Sequence, residues 1–122
     1  MNINKGSTEK QVAGILKVLG SPFRIQILYQ IGRGEACVCH LEVLLKKRQA
    51  YISQHLMVMR DAGILKTRRD GKYIFYRVAD PKFFELIELT AKTLNIQIDN
   101  KPQDIVSIRH DNCDCPMCKP GL

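Results

Sequence analysis

Apolar positions in this chain keep a helical period over the first sixty residues, switch to a period of two, and then return to a helical one. Val12, Ile15, Leu16 and Leu19 follow the i, i+3, i+4, i+7 rule behind Ser7 or Thr8 as cap, and Gly20 ends that helix. Ser21-Pro22 restarts the chain with a capping residue and a proline in the first turn. Ile25, Leu28 and Ile31 carry one face of this second helix, with Phe23 and Ile27 alongside, and Gly32-Arg33-Gly34 closes it. A third helix is expected from about Cys37 to Lys47, burying Val38, Leu41 and Leu45. Arg48-Gln49-Ala50 then connects to a fourth, Tyr51 to Ala62, with Ile52, Leu56 and Met59 inward and Gly63 at the C′ position. Ile64 to Arg69 and Lys72 to Val78 alternate as strands and are joined by Asp70-Gly71, a pair favoured in hairpin turns. Asp80-Pro81 opens a fifth helix through Phe83, Ile87, Thr90 and Leu94. From Gln97 periodicity is lost, and Pro102, Pro116 and Pro120 argue for a loosely ordered tail. The expected division is a folded domain over 1–97 and a cysteine-containing tail over 98–122.

Two short helices joined by a tight turn and followed by a hairpin make a winged helix–turn–helix. The fold class is therefore α+β, mostly helical, with a two-stranded β-hairpin wing. In that arrangement the second helix of the pair enters the major groove by its first turns, and the hairpin reaches the DNA backbone or minor groove. Those first turns carry Gln49, Tyr51, Ser53, Gln54 and His55, side chains able to donate to or accept from base edges. Lys46, Lys47 and Arg48 stand at the helix entrance, where phosphates would lie, and Arg68, Arg69 and Lys72 flank the hairpin tip.

Charge sharpens this picture. The net charge of +7 falls entirely between Lys46 and Arg77, where nine basic residues face only Asp61 and Asp70, and the remainder of the chain is neutral. One basic zone on a neutral body is the footprint of a polyanion-binding face, and double-stranded operator DNA is the expected partner. The 122 residues suffice for a single core, and 45% apolar with 25% charged residues is a globular composition. No apolar run approaches the ~20 residues that span a bilayer, and Met1 to Gly6 lacks the apolar stretch of an export signal. Neither a membrane nor a secretory reading fits, and a reducing, cytoplasmic compartment is expected. No Ser/His/Asp constellation, paired-carboxylate site or phosphate loop supports an enzyme, and no small organic substrate is expected.

Five cysteines fall in two groups, Cys37 and Cys39, then Cys113, Cys115 and Cys118. Clustered thiols in a reducing compartment point to metal binding or redox chemistry rather than to a disulfide framework. Thiolates select soft or borderline ions: arsenite, antimonite, cadmium, lead, copper(I) or zinc.

The run Glu35-Ala36-Cys37-Val38-Cys39-His40-Leu41, with Ser53-Gln54-His55-Leu56 and Ala62-Gly63-Ile64-Leu65 after it, resembles the ArsR/SmtB family of metal-sensing bacterial repressors. The resemblance spans roughly Gln11 to Leu94, and Cys-Val-Cys is its specific element. It implies a homodimer paired through its first and last helices that represses transcription and leaves DNA when metal binds. On that analogy Leu16, Leu19, Phe84 and Leu94 are interface candidates rather than monomer core. The chain also departs from the family pattern. His40 replaces the aspartate that usually follows Cys-Val-Cys, and Glu42 stands where arsenic sensors often place a third cysteine. The last helix offers only Glu85 and Glu88, so the ligand set of zinc, cobalt or nickel sensors is not expected there.

On a regular helix, residues two apart lie roughly 200° apart around the axis, so Cys37 and Cys39 would share an ion only by distorting the start of the third helix. That distortion is the expected switch, with further thiolates supplied by Cys113, Cys115 and Cys118 from the same or the partner subunit. Arsenite is the favoured ion, with cadmium, lead and zinc as further candidates. His40 is expected on a solvated helix face or as a modulator of thiol acidity, and His55 as a DNA or solvent contact. An alternative keeps the DNA-binding half and replaces metal by oxidant or persulfide, with the tail, from His110 to Cys118, as a structural zinc knot. Cys115-Pro-Met-Cys118 has the bare spacing of a redox motif, but no strand-to-helix context accompanies it.

Overall fold

The computed structural model describes residues 6–98, which places Cys113, Cys115, Cys118 and His110 outside the described residues. The order is α1 (Thr8–Leu19), α2 (Pro22–Ile31), β1 (Ala36–Cys37), α3 (Val38–Leu45), α4 (Gln49–Asp61), β2 (Leu65–Asp70), β3 (Tyr73–Val78) and α5 (Lys82–Thr93). Helices α3 and α4 form the helix–turn–helix, and β2 and β3 form the hairpin wing.

Local chemistry explains most boundaries. Ser7 and Ser21 accept from the backbone N–H groups of Lys10 and Arg24, fixing the starts of α1 and α2, and Pro22 occupies the first helical turn. Helix α4 ends as the sequence predicts. Gly63, at φ +81°, is the C′ residue, with Gly63 N donating to Arg60 O and Ile64 N to Met59 O. These are the paired bonds of a Schellman motif. Asn95, at φ 57°, ends α5 the same way, Ile96 N donating to Ala91 O at 2.8 Å.

Three boundaries differ from the periodicity reading. Helix α3 ends at Leu45 and α4 begins at Gln49, each two residues early, because Lys46 takes a left-handed conformation (φ 54°) that makes the whole turn in three residues. The hairpin loop is Gly71-Lys72, since Asp70 pairs with Tyr73. Positive φ at Gly71 but not at Lys72 is the pattern of a II′ turn. Third, Cys37 is not helical. Ala36 and Cys37 form β1, which pairs antiparallel with β3 in the order β1-β3-β2, Cys37 opposite Phe75.

Ile27, Leu28, Ile31, Leu41, Ile52, Leu56, Met59 and Ile64 are fully buried where the helices meet the base of the wing. Leu19 and Phe84 belong to this core, which corrects the interface reading for both. Leu16 (51% exposed) and Leu94 (70%) lie outside it, as do exposed Val12 on α1, Leu89 on α5 and Ile96 just beyond α5. Among the described residues no helix is long and apolar enough to cross a membrane.

Candidate nucleic-acid interface and thiol centre

The turn between α3 and α4 gathers the first basic group. Lys46, Lys47 and Arg48 are exposed, with Arg48 as the α4 N-cap residue. Along the first two turns of α4, Gln49, Tyr51 and Gln54 are exposed, while Ser53 and His55 are half-buried. His55 is anchored from behind: Arg24 Nε donates to its Nδ1 at 3.0 Å, and Arg24 Nη1 donates to Val18 O at 3.1 Å. Phe23 and Tyr51 pack on the imidazole at centroid distances of 5.1 and 4.8 Å. Burial, and then the positive charge of Arg24, hold His55 below the usual histidine pKa, which matches an Nδ1 that accepts.

On the wing, Arg68, Arg69 and Lys72 are all exposed, but they are not equivalent. Arg68 makes a two-pronged bond to Glu35 at 3.0–3.2 Å, lies 3.9 Å from Asp70 and stacks over Phe75 at 4.7 Å. The bond to Glu35 raises its already high pKa. Its charge is largely compensated within the chain. Glu35 carried no sequence signal for this role, because the pairing spans 33 residues.

The thiol centre sits where the wing joins the helix–turn–helix. Cys37 is the N-cap residue of α3 in an extended conformation (φ −85°, ψ 166°), and Cys39 lies in the first turn. The strand-to-helix junction turns both side chains to one side, with Cα atoms 5.4 Å apart, and the two sulfurs are bonded to each other. The expected 200° separation therefore does not occur, and α3 needs no distortion for the pair to act together. Cys37 is 3% exposed and packs with Phe75, whereas Cys39 is half-buried.

His40 is the residue that sequence reasoning undervalued. It is 1% exposed rather than on a solvated face, and its Nδ1 lies 3.4 Å from Cys37 Sγ. One ligand atom from each of Cys37, Cys39 and His40 falls within a 4.8 Å span, close enough to hold one ion once the sulfurs are reduced. The Cys-His adjacency was visible as spacing, but only the extended Cys37 brings the imidazole to the sulfur.

Known proteins share this fold. A model of the arsR family of bacterial regulatory proteins matches residues 21–67, which takes in α2, the helix–turn–helix and the first residues of β2. A biofilm growth-associated repressor of Agrobacterium fabrum is 45% identical over 86 residues, covering 70% of this chain and 72% of that protein. A homologue of the cadmium resistance transcriptional regulatory protein CadC from Staphylococcus aureus is 33% identical over 78 residues, 63% of this chain and 64% of that one. Among solved structures, a homodimeric winged helix–turn–helix DNA-binding domain from Mycobacterium bovis aligns with TM-score 0.63 at 26% identity, over 75% of this chain and 89% of that chain. The chain belongs to the ArsR/SmtB family of winged helix–turn–helix transcriptional repressors, which bind DNA and are not enzymes.

Proposed function

We propose that this repressor senses a thiophilic metal ion through Cys37, Cys39 and His40 and releases its operator when the ion binds. The observation that carries the reading is the convergence of two sulfurs and an imidazole at the joint of wing and helix–turn–helix. Two thiolates with an imidazole suit a soft or borderline ion such as cadmium or zinc, and a homologue of a cadmium-resistance regulator is among the relatives. Arsenite, antimonite or lead would gain from a third thiolate, for which Cys113, Cys115 and Cys118 are the candidates. Cys37 is paired into the wing while Cys39 and His40 belong to α3, which supports α4, so an ion bridging them pulls on both the wing and the helix–turn–helix. A ligand that prefers one relative placement shifts the population toward it.

DNA would be met by Lys46, Lys47 and Arg48 at phosphates, by Gln49, Tyr51, Ser53, Gln54 and His55 (through its Nε2 edge) in the groove, and by Arg69 and Lys72 from the wing, with Arg68 secondary. The working unit is a homodimer joined through the exposed apolar side chains Val12, Leu16, Leu89, Leu94 and Ile96, and its operator has half-sites about one turn, ~34 Å, apart. The test is fluorescence anisotropy on upstream DNA, with reduced, oxygen-free protein at fixed salt, with and without cadmium or arsenite. Release by either ion is expected; tight binding indifferent to both ions defeats the reading.

The sulfur–sulfur bond between Cys37 and Cys39 supports a second reading, in which an oxidant or a persulfide is the signal. Metal-free protein would then change its DNA affinity with reductant alone.

A further inference from the structure

Beside the thiol pair lies a cleft of about 410 Å³, within the range that takes small molecules. One wall is Cys39 and Glu42 of α3 with Gln49 and Ser53 of α4, and the other is the wing, with Lys72 and Tyr73. Lys72 Nζ lies 5.5 Å from the centre of the Tyr73 ring, which keeps an ammonium at the rim. The walls thus offer a cation, a carboxylate, an amide and a hydroxyl around a half-buried sulfur.

From this arrangement we infer that the cleft binds a low-mass zwitterionic thiol of the amino-acid or peptide type, which forms a mixed disulfide on Cys39. Lys72 meets a carboxylate of the ligand and Glu42 its ammonium. The incoming sulfur attacks Cys39 Sγ, forming one sulfur–sulfur bond as the Cys37–Cys39 bond breaks. The electron pair of the broken bond leaves on Cys37 Sγ, which takes up the proton of the incoming thiol. Nothing is oxidised overall, because one disulfide replaces another. Both cysteines line the cleft, and the direction of attack follows from burial: Cys39 is half-buried, while Cys37 is 3% exposed and has His40 Nδ1 at 3.4 Å as polar partner for the released sulfur. The adduct occupies the space between α4 and the wing and holds apart the two elements that straddle DNA. This site takes an organic ligand where the sequence suggested none. Its chemistry is independent of metal; only its effect on DNA rests on the repressor reading.

The test uses the full, metal-free chain with glutathione as probe. In Cys37→Ser, oxidised glutathione should load Cys39, seen by mass on the peptide carrying residues 37–39. In Cys39→Ser the remaining Cys37 should load at least about tenfold more slowly. Equal loading of the two variants overturns the assignment. Because Cys37→Ser alters a buried position, a second measurement uses surface variants of the oxidised protein. Lys72→Gln and Glu42→Gln should each slow opening of the Cys37–Cys39 bond by glutathione roughly two- to fivefold relative to neutral 2-mercaptoethanol, the size of an exposed ion pair. An unchanged ratio overturns the zwitterion pocket. The Cys39 adduct should bind operator DNA at least about fivefold more weakly than unmodified Cys37→Ser, and equal affinity overturns the regulatory role. Loading without release by cadmium would separate this inference from the metal reading.

Discussion

The five helices of the described residues begin in two different ways. Ser7 and Ser21, the N-cap residues of α1 and α2, each accept from a backbone N–H of the first turn, and at α5, whose N-cap Pro81 has no side-chain donor or acceptor, Asp80 just before it accepts from Lys82 N. Cys37 and Arg48, the N-cap residues of α3 and α4, make no such capping bond. The scaffold helices are finished by their own local sequence. The two helices of the DNA-binding pair keep the positive ends of their dipoles for something else, a sulfur site at α3 and, in the proposed complex, a phosphate at α4. On the proposed reading, stability is placed in one set of helix starts and responsiveness in the other.

The largest effect expected from breaking this contrast is at α3. Cys39→Ser should remove metal-driven release, an effect of about 5- to 150-fold if the coupling has the usual size of an allosteric one. Operator affinity without metal should change by less than about twofold. Anisotropy titrations with and without cadmium report both numbers. At α4 the two roles can be set against each other. Arg48→Asp supplies the missing cap and should raise the urea midpoint by the equivalent of about 0.5–1 kcal/mol. It should also weaken DNA binding and lower the salt slope by about one counterion. A variant that is less stable or binds DNA as tightly would dissolve the distinction.

A scaffold start should behave the opposite way. Ser21→Ala should cost about 1 kcal/mol in chemical unfolding and leave operator affinity unchanged in the folded protein. The smallest effect concerns the latch between α2 and α4. His55 has a folded pKa below its unfolded value, so its neutral form contributes stability that is complete above the unfolded value near 6.5. That contribution is lost progressively as pH falls through the lowered folded value, because protonation removes the acceptor for Arg24. His55→Gln should flatten this part of the stability-versus-pH curve between pH 7 and 5.

How far the sequence reaches is visible at individual residues. Gly63, Ser21 and Pro22 announced their boundaries because capping depends on neighbours within a few positions. The basic stretch was legible for the same reason, yet the sequence could not rank its members. Arg68 and Arg69 are adjacent and chemically identical, and only Glu35, brought across by the fold, makes one of them compensated. Leu16 and Leu19 lie on one apolar stripe of one helix. Only the packing of the other elements shows that Leu19 enters the core and Leu16 does not.

Period, capping and charge are short-range properties, and by themselves they determined the five helices, the hairpin wing and the basic face. The thiol centre depends on a single long-range pairing, Cys37 opposite Phe75, which holds one residue extended where local periodicity would make it helical. That one change of backbone conformation joins two sulfurs, buries His40 against them and opens the cleft toward the wing. Hydrogen bonds between strands distant in the chain are invisible to a helical period, so the chemistry of this site was decided by tertiary structure although every residue in it could be read from the sequence.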